Sequence, residues 1–122
     1  MKNKLIIIGG ISLILLALFH LSFWHLFNWQ EELLKLSAEN SSIMQLSTIG
    51  FVCLFLCLGI ILILYHVEIG NTRLGRSLLL TLSFFFLVRC IFEFIFPGSS
   101  VELAVLLFLY TLLFLVPALI KK

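Results

Sequence analysis

Aspartate is absent from this 122-residue chain, and charged side chains of both signs make up only 11% of it. A catalytic carboxylate could therefore come only from a glutamate. The signatures of common soluble enzymes are missing too: there is no P-loop, no G-x-S-x-G, no C-x-x-C pair and no dinucleotide-binding glycine pattern. Glycines never recur at G-x-x-x-G spacing, so that helix-dimer signal is lacking. A water-soluble domain is roughly a quarter charged, and this chain has too few polar side chains to clothe a water-facing surface. Its net charge of +2 is too small and too dispersed to attract nucleic acid.

What is present is apolar. Hydrophobic residues make up 62% of the chain, 13 of them Phe, and the mean hydropathy is +1.24, which excludes a disordered chain. A hydrocarbon core about 30 Å thick takes roughly 20 residues of helix. Four runs of about that length stand between breaks: 5–27, 43–66, 73–96 and 101–120. Because lipid offers no partner to a bare amide, each run must be helical, and no period-two alternation points to a barrel. The expected fold is all-α: a single polytopic membrane domain over 1–122, built as a bundle of four transmembrane helices. The breaks carry start and stop chemistry. Ser42 with Gln45, and Ser99 with Glu102, have capping-box spacing. Gly70-Asn71-Thr72 offers a left-handed helix end followed by an N-cap, and Pro97-Gly98 cannot continue a helix.

In this threading Lys2, Lys4, Arg73, Arg76, Lys121 and Lys122 fall on one side of the membrane and Lys35 alone on the other, with Arg89 inside a span. The positive-inside rule then places both termini and the loop before Arg73 in the cytoplasm, and directs 28–42 and 97–100 outward. A cleaved signal peptide is the competing reading of the first run, but the run is longer than an h-region and no A-x-A-like site follows. The outer segment 28–42 carries Trp29, Leu33 and Leu36 at i, i+4 and i+7. That spacing predicts a short amphipathic helix in the interface with its stripe toward lipid; the same segment could instead dock an extracytoplasmic partner. Asn40-Ser41-Ser42 matches the glycosylation pattern, which helix capping explains equally well.

Ionisable groups inside a span cost roughly 2.5–3.5 kcal/mol near its centre, so they call for partners. Arg89 and Glu93, four apart, share a helix face and can pair. From the helical rise they lie about 12 Å and about 6 Å below the outer end of the third run, and His20 about 10 Å below that of the first. His25 lies nearer the surface. These four groups form one outer-leaflet layer, a polar pocket if the helices turn them face to face, in which the planar fork of Arg89 suits a carboxylate, a phosphate or an anionic lipid headgroup. Alternatively, the pair only neutralises itself and fixes the rotation of its helix, or it meets another membrane subunit. His66, Arg73 and Arg76 make a cytoplasmic rim, with the arginines placed to contact anionic lipid. His20 and His66 are separated by about 24 Å along the membrane normal and cannot share a haem iron, while His20 and His25 diverge around their helix. No metal or cofactor is expected. Cys53 and Cys57 stand at i and i+4 in the middle of the second run and Cys90 lies in the third; that spacing could place two thiolates on one metal, but a buried thiol stays protonated and inert, and all three are read as packing residues.

Three stretches together resemble small bacterial four-helix integral membrane proteins: Phe23-Trp24 with Phe27-Asn28-Trp29, residues 68–76 with Thr72-Arg73-Leu74-Gly75-Arg76, and residues 84–97 with Arg89 and Glu93. The resemblance covers nearly the whole chain and implies a bacterial inner-membrane location; it supplies no activity, substrate or cofactor. The expectation is an accessory or structural subunit without catalytic residues, bound to lipid and to another membrane protein or to itself. The alternative is a small transporter or ligand-binding protein using His20, Arg89 and Glu93, with His25 beside them.

Overall fold

A computed structural model describes residues 1–96 and 100–120 of the chain. Helices occupy nearly all of them: α1 Lys2–Leu21, α2 Phe23–Leu26, α3 Trp29–Glu32, α4 Ala38–Leu64, α5 His66–Asn71, α6 Arg73–Glu93 and α7 Val101–Leu119, with one 3-10 turn at Leu33–Lys35. No strand occurs among the described residues. Four helices, α1, α4, α6 and α7, are long and apolar enough to cross a membrane, as the four runs predict.

The ends of the runs differ from expectation for local reasons. The first does not continue to 27. Ser22 Oγ and Ser22 N–H both donate to the Phe19 carbonyl, at 2.6 and 3.1 Å, a three-residue closure that tightens the last turn and ends α1. The second run begins at Ala38 because the Ser37 hydroxyl accepts the Asn40 N–H at 3.1 Å. Ser42 therefore lies inside α4, and its capping box with Gln45 is not made; the Gln45 amide donates instead to the Ser41 carbonyl and hydroxyl. Gly70 is not a left-handed helix end either. It sits within α5, where a Cβ would come within 3.2 Å of Asn3 Oδ1 and 3.4 Å of Ile6 Cδ1. Thr72 does cap α6, its hydroxyl accepting the Gly75 N–H at 3.0 Å. Ser99 lies outside the described residues, as do Pro97, Gly98 and the lysines at 121 and 122. The cap of α7 is Ser100, whose Oγ accepts the Leu103 N–H at 3.3 Å.

The chain divides into two compact units, residues 1–9 with 62–122, and residues 10–61. In the first unit α6 and α7 pack as an antiparallel pair. α6 buries Gly75, Leu79, Leu82, Phe86, Cys90 and Glu93, and α7 buries Ala104, Leu107, Thr111, Phe114 and Ala118, the three- and four-residue steps of a coiled-coil seam. Polar bonds across the seam repeat at its period. Ser83 Oγ donates to the Thr111 carbonyl at 3.0 Å, and Cys90 Sγ donates to the Ala104 carbonyl at 3.4 Å, seven residues onward along one helix and seven back along the other. Between them Phe86 stacks on Tyr110 and Phe114, with ring centroids 4.8 and 5.8 Å away. The start of α1 joins this unit closely enough that a Cβ on Gly9 would lie 2.8 Å from the Phe114 ring. Lys2 Nζ donates to the Ile120 carbonyl at 3.0 Å, a cation at the C-terminus of α7 where the helix dipole favours one.

In the second unit α4 meets α1 at Gly59, where a Cβ would lie 2.7 Å from both the Gly10 carbonyl oxygen and Ile14 Cγ1. Close backbone approach and interhelical hydrogen bonds are what hold helices together when the surrounding lipid is as apolar as leucine. Away from these contacts Leu15, Leu46, Leu64, Phe84 and Leu109 are each more than half exposed, far more apolar surface than a water-soluble monomer presents. Cys53 and Cys57 are exposed on α4 and only Cys90 is buried. The packing reading of the thiols therefore holds for Cys90 alone.

Candidate functional site

The side chains singled out from the sequence fall in different units: Arg89 and Glu93 in the first, His20 and His25 in the second. Arg89 and Glu93 occupy the last two turns of α6, and the four-residue spacing brings them together. Arg89 Nη1 donates to Glu93 Oε2 at 2.7 Å, the short distance of a charge-assisted bond. Glu93 Oε1 accepts the Ser100 N–H at 3.1 Å. One carboxylate oxygen is thus engaged along α6 and the other by the residue that caps α7. The Glu93 side chain is 9% exposed and that of Arg89 47%, so the glutamate is enclosed while about half of the arginine side chain is open. The bond to Ser100 was invisible to helical spacing because it spans a break between helices.

His20 Nδ1 stands 2.8 Å from the Leu16 carbonyl on its own helix, an arrangement that needs the proton on Nδ1. The imidazole lies against Phe23 and Phe55, with ring centroids 4.7 and 5.5 Å away. His25 is exposed. The amphipathic stripe of Trp29, Leu33 and Leu36 does not form. Asn28 adopts φ +52°, a left-handed geometry that asparagine tolerates. The short α3, the 3-10 turn and an extended Leu36 then divide the segment. Trp29 turns inward to 5% exposure, 5.1 Å from the Trp24 ring and 5.7 Å from Phe23, while Leu36 is exposed.

A connection the sequence reading missed joins α2 to α4. Trp24 Nε1 donates to Gln45 Oε1 at 3.1 Å, and Gln45 Nε2 donates onward to the Ser41 hydroxyl at 3.2 Å. The available signal was Gln45 itself, an amide in an apolar run that needs partners. Trp24→Phe keeps the ring and removes the indole donor; it should cost about 0.6–1 kcal/mol in unfolding from detergent micelles.

At the other candidate region, His66 Nδ1 lies 2.9 Å from the Ile63 carbonyl, and Arg73 and Arg76 are exposed in the first turn of α6. Among the described residues no three His, Cys or Glu side chains gather into a set able to hold a metal ion.

The class these features define is, among the described residues, an all-helical protein with four helices long and apolar enough to cross a membrane, held by small-residue contacts and short polar bonds. No family model, curated protein or solved structure matches the chain.

Proposed function

We propose that the chain is an accessory or structural subunit of a bacterial inner membrane, crossing it four times as a bundle with both termini in the cytoplasm and acting through contact with another membrane protein or with itself. The observation that carries this reading is the engagement of Glu93. Both of its oxygens bond within the α6–α7 hairpin, so the charged pair in the span serves the fold rather than offering an acceptor to a solute. The six-to-one division of basic residues outside the spans supports the orientation, and the resemblance to small bacterial four-helix membrane proteins supports the location. A small transporter or ligand-binding protein is the second reading, favoured by the half-exposed Arg89 side chain.

Orientation is tested by cysteine labelling after Cys53, Cys57 and Cys90 are changed to serine. A single cysteine from Lys35→Cys should react with an impermeant maleimide in intact cells, and one from Lys4→Cys only after lysis; the reverse pattern overturns the orientation. Cross-linking in the same membranes separates the two functions. A discrete adduct with a second copy or with one other membrane protein supports the subunit reading. Absence of any adduct, together with thermal stabilisation by a small anion that Arg89→Gln abolishes, replaces it with the ligand-binding one.

A further inference from the structure

Cationic side chains from two helices collect at one end of the first unit. Lys2 and Lys4 open α1, and Arg73 and Arg76 open α6. α5 brings these helix starts together, since Gly70 lies against Asn3 and Ile6 of α1 while a Cβ on Gly75 of α6 would fall on the Ile69 backbone. Lys2 is committed to the Ile120 carbonyl. Lys4, Arg73 and Arg76 are exposed and form no ion pair with a described residue, and Glu68, the exposed acid on α5, lies beyond ion-pair distance of them.

The two arginines sit where a helix by itself disfavours them. The first turn carries unsatisfied N–H groups and the positive end of the dipole, so acids belong there, yet α6 has none. Spacing of three residues sets both guanidinium groups on neighbouring positions of one face. Such a concentration of positive charge is stabilised by an oxyanion, and the arginine fork matches phosphate in two-point contact. The surroundings select among phosphates. Leu74, between the arginines, is 81% exposed, and Tyr65 at the end of α4 is 54% exposed, a mixture suited to the boundary between headgroups and acyl chains rather than to water.

We infer that the first turn of α6 binds the phosphodiester of an anionic phospholipid, with Arg73 and Arg76 as its direct ligands, Lys4 adding positive potential and Leu74 reaching into the acyl region. The inference rests on the chain spanning a membrane, and not on which face is cytoplasmic.

The test uses the full chain in nanodiscs of phosphatidylcholine containing a minor fraction of phosphatidylglycerol, with co-retained lipid counted by native mass spectrometry. The wild-type chain should retain phosphatidylglycerol in preference to phosphatidylcholine. Arg73→Gln and Arg76→Gln should each lower that preference about fivefold, and the double change should abolish it. The double lysine variant, which keeps the charge without the fork, should retain part of the preference and remains informative if the glutamine pair fails to fold. Arg89→Gln should leave the ratio unchanged. Undiminished preference in both single glutamine variants overturns the inference. Displacement of the lipid by millimolar inorganic phosphate also overturns it, because the occupant would then be free phosphate. The bilayer is symmetric, so a failed orientation in the labelling experiment leaves this result untouched, and the converse holds.

Discussion

Phe114→Ala is expected to destabilise the first unit by about 2–3 kcal/mol. Phe114 is fully buried and stacked on Phe86. In water its removal would forfeit a transfer contribution as well. Within lipid that contribution falls away, because the separated helices are already in an apolar solvent. What remains is the void, at about 24 cal/mol per Å3 over a volume on the order of 100 Å3. Gly9 provides an independent check. A Cβ there would press on the Phe114 ring, so Gly9→Ala alone should cost about 1–3 kcal/mol by overpacking, and clearly less once Phe114 is alanine. The four variants form a double-mutant cycle, read by unfolding in detergent micelles. Effects that add to within about 0.5 kcal/mol would show that α1 and α7 do not meet at this point.

Glu93→Ala should cost about 2 kcal/mol, a figure set by leaving Arg89 on an apolar helix without its counter-charge and reduced by the ability of a half-exposed side chain to snorkel. Arg89→Ala leaves an enclosed carboxylate with the Ser100 N–H as its remaining donor and should be destabilising as well. Removing both charges together should recover much of the loss, giving a coupling on the order of 1–2 kcal/mol. Glu93→Gln separates the two bonds: its amide oxygen can still accept from Ser100, so it should fall between wild type and Glu93→Ala. Additive single effects would mean that the pair contributes nothing beyond two independent contacts.

The four long apolar helices were legible in the sequence because length and apolarity belong to each run as a whole. Their ends were less so, since one hydroxyl decides whether the chain turns. Ser37 and Ser42 both precede long apolar stretches, and Ser42 has the better-known capping pattern with Gln45. Ser37 nevertheless caps α4, because Leu36 before it is extended and the helix can begin at once. The Arg89–Glu93 contact follows from periodicity within a helix, whereas the Glu93–Ser100 bond depends on where the next helix starts. Trp29 was expected to face lipid from its spacing with Leu33 and Leu36. Its burial follows from the left-handed turn at Asn28, a backbone event that leaves no trace in hydrophobic period. Gln45 was readable as a polar group needing partners, but nothing in the sequence named Trp24 as one of them.

Arg89 finds its counter-charge four residues further along the same helix. The Arg89 charge is therefore compensated within α6 itself, with no help from α7. A nascent chain that crosses a membrane with its charge so paired need not keep a bare cation waiting for a later segment to arrive, and the contact from Ser100 can form afterwards, once α7 has been made.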